Sequence, residues 1–153
     1  MLHSPPGGKG HRAMDIRFKK LVPIAETPRK AHPSDAGFDL TATSRTWDGS
    51  CWVYGTGLAI EIPEGYAGFV FPRSSVAKRS LELSNCVGII DAHYRGEVTF
   101  KFRPVFTRET CLYEVGERIG QLVILPLPQI DFVESAELSD TDRGAGGYGS
   151  SGN

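Results

Sequence analysis

Val98-Thr99-Phe100-Lys101-Phe102-Arg103 alternates apolar and polar side chains for six residues. Successive side chains of an extended chain point to opposite faces, so this stretch reads as a strand with one face buried and the other in water. Followed outward, the strand covers Glu97–Phe106. Segments of the same character lie at Phe18–Val22, Tyr54–Ile62, Tyr66–Phe71, Leu81–Leu83, Ile119–Leu125 and Ile130–Glu134. Pro23, Pro63, Pro104, Pro126 and Pro128 fall at or near their ends. There a missing N–H does least harm, and the same prolines argue against long helices. One short helix is predicted after Arg73, at Ser75–Ser80. Many short strands with frequent turns indicate an all-β domain, a barrel or a sandwich.

A length of 153 residues, 40% of them hydrophobic, suits one globular domain with a real core. The net charge of −1 gives no global field toward nucleic acid or an anionic membrane, and neither is expected as a partner. No apolar run approaches the roughly 20 residues that cross a bilayer, and the N-terminus lacks the apolar core of a secretory signal. A cytoplasmic protein is expected. Cys51, Cys86 and Cys111 are odd in number and lack disulfide or zinc spacing, so they read as buried thiols in a reducing compartment. Residues 1–13, Gly- and Pro-rich ahead of Met14, read as a disordered leader. Residues 14–138 form the domain. Residues 139–153 form a tail whose one large apolar side chain is Tyr148, expected to be mobile until something binds it.

Five segments carry groups with chemical potential. Ser34-Asp-Ala-Gly-Phe-Asp39-Leu opens on turn residues and holds two carboxylates suited to the water shell of Mg²⁺. Pro72-Arg73-Ser74-Ser75 places an arginine and two serines at a helix start, where unpaired N–H groups favour an anion. Asn85 through Tyr94 reads as a hairpin. In it Asp91 follows two isoleucines and is expected to be partly desolvated, as suits a general base. Gly88 permits close approach of a flat ligand, and Tyr94 can pack on a sugar. Gly116-Glu-Arg-Ile-Gly-Gln121 opens the late strand. The tail Arg143-Gly-Ala-Gly-Gly-Tyr-Gly-Ser-Ser-Gly152 offers backbone N–H groups, hydroxyls and an arginine to a phosphate chain. Its G-x-G-x-x-G match is no dinucleotide fingerprint, because no strand leads in and no helix can follow. Each segment by itself also reads as an ordinary turn, cap or solvated end.

Taken together and in this order, the five segments resemble the five motifs of the trimeric dUTPase family, over residues 18–152. The third, with its Gly-Ile-Ile-Asp-x-x-Tyr-Arg-Gly core, is the most specific. The resemblance implies a jelly-roll-like β barrel with one short helix and a flexible glycine-rich tail. It implies hydrolysis of dUTP to dUMP and pyrophosphate with Mg²⁺, in a homotrimer whose active sites are shared between chains. Asp91 would be the base that activates water for attack on the α-phosphorus. Arg73, Ser74 and Ser75 would hold phosphates, and Gln121 would contact them. Asn85 and the backbone of Gly88, Ile89 and Ile90 would read uracil, while Tyr94 would stack on deoxyribose and exclude a 2′-hydroxyl. Asp39 would face the Mg²⁺ waters or brace the site. Arg143 would grip the γ-phosphate and Tyr148 would cover the base, with Gly149 and Ser150 adding contacts.

Some positions depart from the family pattern. Tyr148 stands where many members have phenylalanine, His93 where an acid is frequent, and Gly120 where alanine is commoner. Thr99, also assigned to the substrate, stands where some members place a lysine that contacts it. Two rival functions share the fold: a dCTP deaminase, which uses a glutamate, and a non-catalytic nucleotide-binding regulator. Asp91, Tyr94 and the Arg143 tail together favour hydrolysis over both.

Overall fold

The computed structural model describes residues 13–105 and 111–147. Nine strands follow in chain order among them: β1 Arg17–Lys20, β2 Phe38–Thr41, β3 Ser44–Trp47, β4 Trp52–Glu61, β5 Tyr66–Pro72, β6 Leu81–Leu83, β7 Gly88–Ile90, β8 Glu97–Pro104 and β9 Arg118–Pro126. They build two antiparallel sheets. One runs β1-β4-β8-β6, with β3 also on β4, and the other runs β2-β9-β5-β7. The all-β, jelly-roll-like class is the one expected.

On β8, Val98, Phe100 and Phe102 are buried while Thr99, Lys101 and Arg103 stand in solvent, as the alternation requires. Phe100 and Phe102 meet Tyr54 of β4 and Tyr113 in an aromatic cluster. Phe102 lies 5.7 Å edge-on from Tyr54 and 5.5 Å from Tyr113 between ring centres. Leu40, Leu58, Ile60, Val70, Ile90, Ile119 and Leu122 from both sheets fill the space around it. Burial pushes the Tyr54 phenol pKa up, and its hydroxyl donates to the Tyr113 carbonyl at 3.1 Å. Gly120 also belongs here, because a Cβ on it would overlap the Phe100 ring. The missing methyl is matched by that phenylalanine, which accounts for the glycine at this position.

β8 and β9 stop at Pro104 and Pro126 as expected, and β5 stops at Pro72. Four expectations need correction. The helix at Ser75–Ser80 is a five-residue 3-10 turn, Ser74–Lys78, with no side-chain cap, too short to propagate α-helical bonding. Ile130–Glu134 is not a strand. It pairs with no strand among the described residues, and Phe132 is 99% and Val133 86% exposed. Asn85–Tyr94 is not a hairpin, since β6 pairs with β8 in one sheet and β7 with β5 in the other. The segment therefore crosses between sheets and leaves a gap where they part. Of the cysteines, only Cys51 is buried, while Cys86 and Cys111 are exposed.

The sheets also hold irregularities that matter below. β4 and β8 shift register between Gly55 and Ala59. The N–H of Gly57 freed by this bulge donates to Glu97 Oε1 at 2.7 Å, and Thr56 Oγ1 donates to the Val98 carbonyl at 2.7 Å. No helix among the described residues is long and apolar enough to cross a membrane.

Candidate active site

The gap left by the crossing segment is a cavity of about 200 Å³ lined by Val70, Asn85, Gly88, Ile89, Ile90, Asp91, Tyr94, Glu97, Val98 and Thr99. β5 forms its floor, β7 one wall and the start of β8 the other. β7 is the last strand of its sheet, bonded to β5 through Gly68, Phe69 and Val70. Its second edge is unpaired among the described residues. Gly88 is required by close packing, because a Cβ there would overlap Val70 Cγ2. After β7 the chain turns at Asp91, whose carbonyl accepts from the Tyr94 N–H at 3.1 Å. Arg95 Nη1 donates to the carbonyls of Ala92 and Tyr94 at 2.6 and 2.9 Å and so fastens the turn from below. The Tyr94 hydroxyl donates to the Glu97 carbonyl at 3.0 Å, which leaves its ring face free. Asp91 itself is exposed at the cavity rim. The desolvation expected from its two isoleucines is absent within one chain, because Ile89 points outward and only Ile90 is buried.

A second cavity, of about 250 Å³, is lined by Ala31, Asp35, Ala36, Gly37, Asp39, Arg73, Ser74 and Gln121. β2 and β9 bring Asp39 and Gln121 directly opposite each other, and the turn after β5 adds Arg73 and Ser74. Asp35 accepts the His32 N–H at 2.8 Å and so shapes the turn leading in. Asp39 accepts from Arg73 Nε at 3.0 Å and from Arg118 Nη1 at 2.9 Å. Gln121 Nε2 donates to the Pro72 carbonyl at 3.4 Å. On the other side of Arg73 a third cavity holds Ser75 with Arg29, Arg79, Glu117 and Arg118. There the backbone N–H of Glu114, and then Arg79, hold the Glu117 carboxyl below the usual range.

The candidate residues thus fall into groups. Asn85, Gly88, Ile89, Ile90, Asp91, Tyr94 and Thr99 share one cavity; Asp39, Arg73, Ser74 and Gln121 share another; Ser75 faces the third. Arg143 joins none of these, its Nε donating to the Gly146 carbonyl at 2.9 Å. Tyr148, Gly149 and Ser150 lie outside the described residues. Sequence reasoning gave no role to Glu97 and Arg118, whose contacts with Gly57 and Asp39 arise at bulges that leave no mark in the residue pattern.

The dUTPase family model matches residues 24–152 of the chain. The chain belongs to the dUTPase family. Among curated relatives, the deoxyuridine 5′-triphosphate nucleotidohydrolase of Thermobifida fusca is 41% identical over 140 residues, spanning 90% of this chain and 78% of that protein. The enzyme of the same name from Rhodococcus erythropolis is 42% identical over 144 residues, 91% of this chain and 87% of that one. Among solved structures, the dUTPase of Staphylococcus bacteriophage 80alpha with dUPNHPP has 30% identity and a TM-score of 0.78, over 92% of this chain and 100% of that one. The likeness therefore extends over most of the chain, and residues of the first four of the motifs that suggested the family line the three cavities.

Proposed function

We propose that this chain hydrolyses dUTP to dUMP and pyrophosphate, with Asp91 as the base that activates the attacking water. The observation that carries this reading is the free edge of β7 inside the first cavity. An unpaired strand edge presents alternating N–H and C=O groups, and the edge of uracil presents acceptors and a donor to match them. Asn85 adds an amide to the same wall. With its hydroxyl committed to Glu97, Tyr94 offers only a ring face, which suits stacking on deoxyribose and leaves no group to welcome a 2′-hydroxyl. Thr99 completes the wall from β8. Asp91 at the rim is placed to meet a water on the phosphate side of a bound nucleoside.

Arg73, Ser74 and Gln121 hold the phosphates in the second cavity, and Ser75 adds to them from the third, which shares Arg73. Among the described residues no group of three His, Cys, Asp or Glu side chains could cage a metal. That suits Mg²⁺, which keeps most of its waters and binds through substrate phosphates. Each Asp39 oxygen keeps a lone pair beyond the one given to its arginine, so Asp39 fits as an anchor through water. Mg²⁺ bound there supplies charge neutralisation of the triphosphate.

The two cavities are separate within one chain, and Ile130, Phe132, Val133 and Leu138 stand exposed. Both observations support a homotrimer in which one chain's Asp91 cavity meets another's phosphate cavity. Residues 139–153 then act as the cover, with Arg143 on the γ-phosphate, Tyr148 over the base, and Gly149 and Ser150 alongside. Three free cysteines, two of them exposed, favour a reducing compartment, and the cytoplasm is the proposed location.

The test is to give the purified chain dUTP, dCTP, dTTP and UTP with Mg²⁺ and to assay pyrophosphate and ammonia separately, with light scattering for mass. Pyrophosphate from dUTP alone, by a trimer, is expected. Ammonia from dCTP, or no turnover of any nucleotide, overturns the reading.

A further inference from the structure

β9 passes the phosphate-side cavity with a fault in its register. Phe38, Asp39 and Leu40 of β2 lie opposite Leu122, Gln121 and Gly120, yet Thr41 lies opposite Arg118. Ile119 is left without an opposite number and is fully buried. Strict alternation would place residue 118 on the face away from Gln121 and Asp39. The bulge re-aims it, so that Arg118 Nη1 reaches Asp39 Oδ2 at 2.9 Å while Arg73 Nε takes Oδ1 at 3.0 Å. Each carboxylate oxygen therefore receives one guanidinium. The Asp39 side chain is only 14% exposed, against 43% for Arg118.

Two physical consequences follow. A carboxylate held at one oxygen can swing about its bond, whereas one held at both is fixed in plane. Fixing Asp39 in turn fixes the plane of the Arg73 guanidinium. That guanidinium is gripped by Nε, so both terminal nitrogens stay available for a planar, two-point grip on phosphate. The second consequence is charge. Asp35 lines the same cavity, so with Arg73 alone its two carboxylates would outnumber the guanidinium and repel an anion; Arg118 supplies the second positive charge that offsets them.

We propose that Arg118 is a positioning residue for the dUTP reaction, acting through Asp39 to orient Arg73 and to offset the carboxylates of the phosphate cavity. The inference rests on reading that cavity as the phosphate site. It gives the bulge in β9 a purpose and assigns a role to an arginine that touches no part of the nucleoside cavity.

The experiment uses full-length enzyme and compares Arg118→Gln, Arg118→Lys, Arg73→Gln, Asp39→Asn and the double variant Asp39→Asn/Arg118→Gln. For each, kcat and KM for dUTP, inhibition by inorganic pyrophosphate and thermal unfolding are measured. Arg118→Gln should lower kcat/KM and weaken pyrophosphate inhibition by about 10- to 100-fold, as loss of a supporting charged hydrogen bond typically does. Its unfolding temperature should move little, because Arg118 is a surface partner. Arg118→Lys keeps the charge without the fixed fork and should fall between Gln and wild type, and it carries the test if the Gln variant folds poorly. The decisive arm is the double variant. Because Arg118 acts through Asp39, removing it from the Asp39→Asn enzyme should cost little more in kcat/KM or pyrophosphate inhibition, whereas an arginine acting by itself would make the two losses add. If Arg73→Gln is crippled while Arg118→Gln matches wild type, the inference fails and the phosphate site stands. If neither arginine variant changes dUTP turnover or pyrophosphate inhibition, the reading of the cavity fails with it.

Discussion

The cavity proposed for the nucleoside and the one proposed for the phosphates are built on opposite plans. The first is made of backbone: an unpaired strand edge, a glycine pressed onto Val70, and one carboxylate left bare at the rim. The second is made of side chains locked to one another, with Asp39 holding two arginines and Gln121 tied back to Pro72. The difference follows from the ligands each would take. A flat base is recognised by shape and by a fixed pattern of donors and acceptors, which a strand supplies already rigid. A triphosphate is recognised by charge. Charged side chains on mobile stems bind productively only when something pins them in advance.

The largest effect expected on this contrast is chemical. Asp91→Asn should lower dUTP hydrolysis by about 10²- to 10⁴-fold, the usual range for a lost general base, while nucleotide binding persists. Steady-state turnover together with calorimetric binding of a non-hydrolysable dUTP analogue measures both. Turnover near wild type would remove Asp91 from the mechanism and leave the first cavity a binding slot. Next in size is Gly88→Ala. The added methyl must displace β7 from Val70, so urea unfolding should show a loss of about 1–3 kcal/mol, typical of overpacking. Adding Val70→Ala should make the pair cost less than the sum of the singles, because the two share one space. Simple additivity would mean that the wall of the first cavity is not set by this contact.

Gly37→Ala probes the other plan. Its Cβ would lie 2.6 Å from Gln121 Oε1 and 3.0 Å from Gln121 Cβ; the amide end can turn aside, and β9 has to give by only a few tenths of an ångström. Stability should change by less than about 1 kcal/mol. The KM for dUTP should rise only a few-fold, about what one displaced phosphate contact is worth. A stability loss as large as that of Gly88→Ala would show that the second cavity is as rigid as the first, and the contrast would collapse.

Much of this was legible in the sequence where function and chain order coincide. Asn85 through Tyr94 is continuous, so its residues reach one cavity whatever the topology, and β8 declared itself by alternation. The hairpin reading failed because alternation says which face a residue takes but not which sheet its strand joins. Ile130–Glu134 shows the converse: a strand-like pattern does not by itself make a strand, and this one pairs with nothing among the described residues. β3, Ser44–Trp47, escaped notice because three of its four residues are exposed. Arg118 lies within the Gly116–Gln121 motif, but its contact with Asp39 depends on a bulge at Ile119 that no spacing rule announces.

The smallest effect concerns the chain that joins the two cavities, from Arg73 to Asn85. Ser80 sits on this stretch with φ of 51°, in the left-handed region that a side chain with a Cβ occupies at a cost. It is held there because its carbonyl accepts the Val105 N–H at 2.9 Å, which ties the end of the 3-10 turn to the end of β8. Ser80→Gly should relieve roughly 1 kcal/mol of backbone strain and give back roughly 0.5 kcal/mol through the freer unfolded chain. A net gain of about 0.5 kcal/mol is therefore expected, seen as a higher urea midpoint at constant slope. Turnover of dUTP should stay unchanged, because glycine can keep the same bend and leaves Arg73 and Asn85 where they are. If instead stability rises while turnover falls, the strain at Ser80 is holding the two cavities in register, and they are one mechanical unit rather than two independent plans.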